Sequence, residues 1–236
     1  MPTQTAEARP ATGTDRAVVL FGDVVASRRD PEGSSAWLRT LCGALEEAFP
    51  PTDRVASFGF TQGDELQGLL APTADPFRAV LVGALHEEAR PMRWSIALGD
   101  VAPGTGPATE RAGEAFLRAR AGLVEAKLHR EGLLVTTGEP GADRLLADLA
   151  PLLAELLAEL TPSQARIARL MLVDDLRQAD VADELGVSRA TVSVAHARGH
   201  IRSIGRLLDA LQGIMGAARL ALEESTTTRP TTEGIR

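Results

Sequence analysis

QADVADELGVSRATVSVAHARG, residues 178–199, reads as two short helices packed across a tight turn. Close helix approach needs a small residue in the first helix, and Ala182 supplies it. The turn needs a residue that tolerates positive φ, and Gly186 supplies that. Val181, Leu185, Val187, Val192 and Ala195 form the shared apolar contacts, and Ser188 caps the second helix. These demands are met in a single register, which defines a helix-turn-helix.

The second helix of such a unit enters the DNA major groove N-terminus first. Its outward residues are Arg189, Ala190, Ser193, Val194 and Ala197, the expected base contacts. Arg189 is the long donor that reads guanine bidentately, and Ala190 and Val194 are placed for thymine methyls. Ser188, Thr191, Arg198, His200 and Arg202 are the expected phosphate contacts, which position rather than specify. Residues 188–206 hold four arginines and no acid, whereas residues 1–160 carry 15 Lys/Arg against 23 Asp/Glu. A basic patch on an acidic chain of net charge −7 suits double-stranded DNA at one defined place and argues against indiscriminate binding. His196 and His200 stand at i and i+4 without a third ligand nearby, so they read as groove-edge residues rather than a metal site.

Outward from this unit, Thr161-Pro162-Ser163-Gln164 is a helix start with a capping box, ahead of Ile167, Ala168, Leu170, Met171 and Leu172. The DNA-binding domain is therefore expected over 161–222. Its last part, 207–222, is an apolar helix able to supply a homodimer contact. Residues 140–160 form a leucine-dense connecting helix with Pro151 as a kink or restart. Its wide stripe suits either packing within the chain or a dimer interface. Residues 1–15 and 223–236 are polar and aperiodic and read as a disordered arm and tail.

Residues 16–139 alternate strand and helix signals. Strands are expected at 17–21, 54–61, 65–70, 93–98 and 133–136, and helices at 35–49, 75–90 and 113–130. The order β-α-β-β-α-β-α-β implies an α+β sandwich with helices on one face of a mostly antiparallel sheet. Asp23 follows the first strand directly, and Asp64 and Glu65 lie at a hairpin tip. If those strands are neighbours, Asp23 and Asp64 point into one place. Two close carboxylates need a cation or a proton between them, and Mg²⁺ with a nucleotide phosphate is one partner for the pair. The other reading is that each acid merely caps a turn.

Two resemblances add to this. LTPSQARIARLML ahead of VADELGVSRATVS is similar to the helix-turn-helix of LuxR-type regulators and of sigma-factor region four, over about 45 residues. FGDVVASRRD (21–30), FTQGDELQGLL (60–70), MRWSIALGDV (92–101) and GEAFLRARAGLVEAK (113–127) resemble the SatD family over about 17–137. Glu114 stands where that family more often has proline, and Trp94 is bulky for the third phrase. The same order resembles the catalytic domain of class III nucleotide cyclases and, more distantly, GGDEF domains. The resemblance implies a nucleotide-cyclase-like (ferredoxin-like) sandwich, with Asp23 and Asp64 as metal ligands and the Val24 carbonyl beside them. It leaves Ser27, Arg28, Glu65, Arg120 and Lys127 to hold nucleotide. Phe60 and Thr61 stand where the purine-recognising lysine of cyclases precedes the Gly-Asp pair. Arg118 and Arg120 occur without the transition-state asparagine.

Cys42 is the single cysteine, so no intrachain disulfide forms. No apolar run approaches the ~20 residues that span a bilayer, and the N-terminus lacks an export stretch. The expectation is a cytoplasmic, homodimeric, DNA-binding transcription regulator whose N-terminal domain senses a nucleotide or nucleotide-derived ligand. Two rivals stand beside it. One is a nucleotide cyclase or other metal-dependent phosphoryl-transfer enzyme with a DNA-binding appendage. The other is an N-terminal domain that serves only as a dimer platform.

Overall fold

The apolar run after Arg16 becomes the centre of a sheet because both its faces are covered and both its edges are paired. In the computed structural model, which describes residues 15–61, 65–129 and 132–227, this strand is β1 (Asp15–Val24). It pairs antiparallel with β3 (Glu65–Leu70) on one side and β4 (Met92–Val101) on the other. β2 (Arg54–Phe60) adds antiparallel outside β3, and β5 (Leu133–Thr136) adds parallel outside β4, giving the order β2-β3-β1-β4-β5. β1 and β2 flank β3, while β3 and β4 flank β1, so two split β-α-β units interleave.

Strand alternation sends successive side chains to opposite layers. Val18, Leu20, Leu66, Ile96 and Leu98 pack under α1 (Pro31–Ala48) and α2 (Phe77–Ala84), meeting Leu38, Leu41, Leu45 and Val80. Ala17, Val19, Phe21, Leu69 and Ala97 pack under α3 (Glu114–His129), meeting Ala115, Phe116, Ala119 and Leu123. Helices thus cover both faces of the sheet, not one. The expectation failed because α3 carries apolar residues on two sides, which hides the face it buries. A Cβ at Gly122 would collide with Ser95 Oγ, so that glycine lets α3 lie close on β4.

The C-terminal part is helical: α4 (Pro140–Ala158), α5 (Pro162–Leu172), α6 (Gln178–Leu185), α7 (Arg189–Arg198) and α8 (Ile201–Thr227). Pro151 lies inside a continuous α4, without the restart its position suggested. The helix is held by its neighbours: Leu146, Ala150, Leu153 and Leu157 are buried, and α4 packs on β5 and α8. The core on the α1/α2 side continues unbroken through α4 into α5–α8. Arg78 on α2 donates to Ala48 O at 3.0 Å and to Val173 O at 3.1 Å, tying the sheet layer to the end of α5. α8 starts at Ile201 and reaches Thr227, longer at both ends than expected and covering part of the supposed tail. Residues 1–14 and 228–236 lie outside the described residues. Among the described residues, no helix is long and apolar enough to cross a membrane.

Candidate functional site

Two surfaces carry the residues singled out from the sequence. The first is α7 and its approach. α6 ends at Gly186, whose φ is +63°, and the Val187 amide then donates to Ala182 O at 3.0 Å. Ser188 begins α7 by accepting from the Thr191 amide at 3.1 Å, and its hydroxyl also bonds Thr191 Oγ1. Val181, Ala182 and Val192 are buried where the two helices meet. α5 is set by the expected capping box, in which Gln164 Oε1 accepts from the Thr161 amide at 2.8 Å.

This packing leaves Arg189, Ala190, Ser193, Val194 and Ala197 exposed on one side of α7, with Ser188, Thr191, Arg198, His200 and Arg202 also exposed. His200 is not part of the helix. With φ of +50° it forms the joint between α7 and α8, and Arg202 lies in the first turn of α8. Ser193, Ala197, His200 and Arg202 share one open cleft of about 430 Å³ with Gln178 and His196. Burial, reinforced by the Arg202 charge, holds the His196 imidazole below its ordinary pKa, so the ring is neutral near pH 7.

The second surface is the α3 side of the sheet at the C-terminal end of β1. Asp23 sits opposite Glu65 on β3 and opposite Arg93 on β4. Asp23 is 5% exposed. Lys127 reaches down from α3 to place Nζ 2.7 Å from Asp23 Oδ1, and Arg93 stands 4.0 Å from Oδ2. Glu65 binds Arg120 at 2.9 Å and accepts from Gln67 Nε2 at 3.0 Å. The Arg120 guanidinium also lies 5.1 Å from the Phe21 ring centroid, a cation–π distance.

Four of the expected residues, Asp23, Glu65, Arg120 and Lys127, are therefore one cluster. Sequence reasoning missed Gln67 and Arg93. Period-two alternation from Glu65 puts Gln67 on the same face, and Arg93 opens the strand that pairs with Asp23, so both were within reach of the pattern. Ser27 is buried in the short 3-10 turn after β1, and Arg28 is exposed on that turn. Arg118 is structural: it binds Glu114 at 2.6 Å and reaches the carbonyls of Leu98 and Thr137.

Asp64, the second expected metal ligand, lies outside the described residues. Among the described residues no group of three or more His, Cys, Asp or Glu side chains is placed to hold a metal. Within the described residues the Asp23 carboxylate accepts from the Lys127 ammonium. In the described cluster Lys127 is paired with Asp23 and Arg120 with Glu65, and Arg93 stands beside Asp23.

No protein-family model matches the chain, and no curated protein matches it. Among solved structures it is similar to a bacterial light-regulated adenylyl cyclase, at 12% identity and a TM-score of 0.39, over 52% of this chain and 43% of that one.

Proposed function

We propose that this chain is a sequence-specific DNA-binding regulator that presents α7 to the major groove. The observation that carries the reading is the exposed, acid-free face of α7, set on α6 by the left-handed Gly186 turn and the Ser188 cap. Arg189 lies at the leading end and is the base-reading donor, and Ala190 and Val194 supply apolar contact. Arg198, His200 and Arg202 flank the face and take phosphates. Ser188 and Thr191 have their hydroxyls engaged in the cap, so they reach phosphate only with the lone pairs and protons the cap leaves. The test is binding of labelled duplexes by the full chain across a salt series. Tight binding to a subset of sequences, with affinity falling steeply as salt rises, supports the reading. Equal, weak binding to every duplex opposes it.

In this reading the cluster of Asp23, Arg93, Lys127, Glu65 and Arg120 is the sensing site, and its ligand is an anion such as a nucleotide. Lys127 and Arg120 both come from α3, so a phosphate drawing them off Asp23 and Glu65 would load that helix. The sensing step requires the ligand to bind two arrangements of the protein unequally. DNA affinity measured with and without ATP, GTP and cyclic nucleotides tests it, and an unchanged affinity throughout rejects it.

The buried carboxylate of Asp23 gives a second reading, phosphoryl-transfer catalysis. Turnover of labelled nucleoside triphosphate with Mg²⁺ or Mn²⁺, lost in Asp23→Ala and Asp64→Ala, would favour it over the regulator.

A further inference from the structure

α3 is apolar on two opposite sides. Its inner side is consumed by the sheet, yet Leu117, Val124 and Leu128 on the outer side are 72%, 51% and 69% exposed, with Ala121 exposed between them. These four residues fall at steps of four, three and four, the a/d spacing of a helix-to-helix seam. The other apolar faces are accounted for or sparse. Leu208, Leu211 and Met215 of α8 are buried within the chain, and α4 exposes only Leu145 and Leu152 among its large apolar residues.

We propose that the outer face of α3 is the contact between two copies of this chain, with the two helices side by side and parallel. Charge selects both the occupant and the direction. With Leu117 and Val124 at d and Ala121 and Leu128 at a, Arg120 and Lys127 take the g positions and Glu125 takes an e position. In a parallel pair, g of one helix faces the e position five residues on in the other. Arg120 therefore meets Glu125 of the partner subunit, and the contact occurs twice about the two-fold axis. An antiparallel pair would set the Arg120 and Lys127 edges against each other, and Arg118, the other e residue, is held by Glu114 of its own chain.

The consequence reaches the polar cluster. Arg120 already binds Glu65, and Lys127 binds Asp23. The partner would thus bring Glu125 to the rim of that cluster and close its open side. The seam is short, spanning eleven residue steps or about 16 Å of helix, so the dimer is weak and concentration-dependent.

The experiment is sedimentation velocity of the full chain from about 1 to about 100 μM, a range suited to small interfaces. The expected result is a monomer–dimer equilibrium that Leu117→Glu with Leu128→Glu weakens by about 100-fold, with the thermal melt unchanged at concentrations where the parent is a monomer, because both residues are exposed. Glu125→Arg alone and Arg120→Glu alone each weaken the dimer, and mixing the two variants restores it. In a Cys42→Ala background, Ala121→Cys is expected to give a covalent dimer on mild oxidation. A monomer throughout the range overturns the proposal, as does a dimer indifferent to Leu117→Glu with Leu128→Glu. A dimer that persists while Ala121→Cys fails to cross-link overturns the parallel arrangement.

Discussion

Asp23 shows how one side chain's surroundings set its chemistry. A carboxylate this deeply buried is stable only if its charge is met, and Lys127 and Arg93 meet it. Lys127→Ala should therefore cost about 1–3 kcal/mol, the penalty for stranding a buried acceptor, reduced because the Lys127 side chain is itself partly exposed. Asp23→Asn combined with Lys127→Met should recover most of that loss. Urea unfolding of the two variants checks this, and equal losses would mean the pair is not the reason. At the other surface, Arg189→Ala should relax preference at one base pair, costing about 1–3 kcal/mol against the best sequence. Arg202→Ala should weaken all duplexes alike and lower the salt slope by about one. Fluorescence anisotropy with the preferred and one substituted duplex separates the two effects.

Among the elements, the turn between α6 and α7 and the start of α2 make the sharpest predictions. Gly186 is left-handed and nothing crowds its Cβ position. Gly186→Ala should thus cost only the backbone term, about 1 kcal/mol, and Gly186→Asn less. Ser188→Ala should cost about 1 kcal/mol through the lost cap. Both should lower DNA affinity through the pose of α7, without moving the melt by more than these amounts. At α2, Asp75 accepts from the Phe77 amide at 2.9 Å and from Gln212 on α8. Burial nonetheless raises its pKa above the ordinary 3.8. An acid whose folded pKa is raised favours the folded state most when protonated, at low pH, and loses that contribution as pH rises through the folded value. Asp75→Asn should therefore raise the melting temperature near pH 7, and the gain should shrink as pH falls through the raised folded pKa and be gone by about pH 4.

Much of this level was legible in the sequence. β2, β3 and β5 fall where alternation put them, and the capping box at Thr161 forms as read. α1 begins four residues earlier than expected. Asp30 takes the Gly33 amide and Pro31 occupies the first turn, a start signal hidden beside the two arginines that precede it. α2 stops at Ala84 rather than continuing to Arg90. Beyond it the chain turns and brings His86 edge-on to Trp37 at 5.0 Å, a tertiary contact that periodicity cannot show. The polar cluster was legible in its carboxylates and in its α3 cations. Arg93 was readable only once its strand was paired beside Asp23.

For the whole molecule, the important feature is that the α1/α2 core and the C-terminal helices share one continuous apolar cluster. α4 bridges them, held between β5 and α8. The leucine density read as a connector is therefore spent mainly inside the chain. The polar cluster lies on the other, α3 face of the sheet, where a second apolar cluster is formed. The proposal that α7 reads DNA is tested most directly by selecting duplexes from a random library with the full chain, and repeating the selection with Arg189→Ala. A short motif should be enriched, and the variant should lose preference at one position while keeping the rest. No enrichment, or the same motif at the same strength with Arg189→Ala, would contradict the claim.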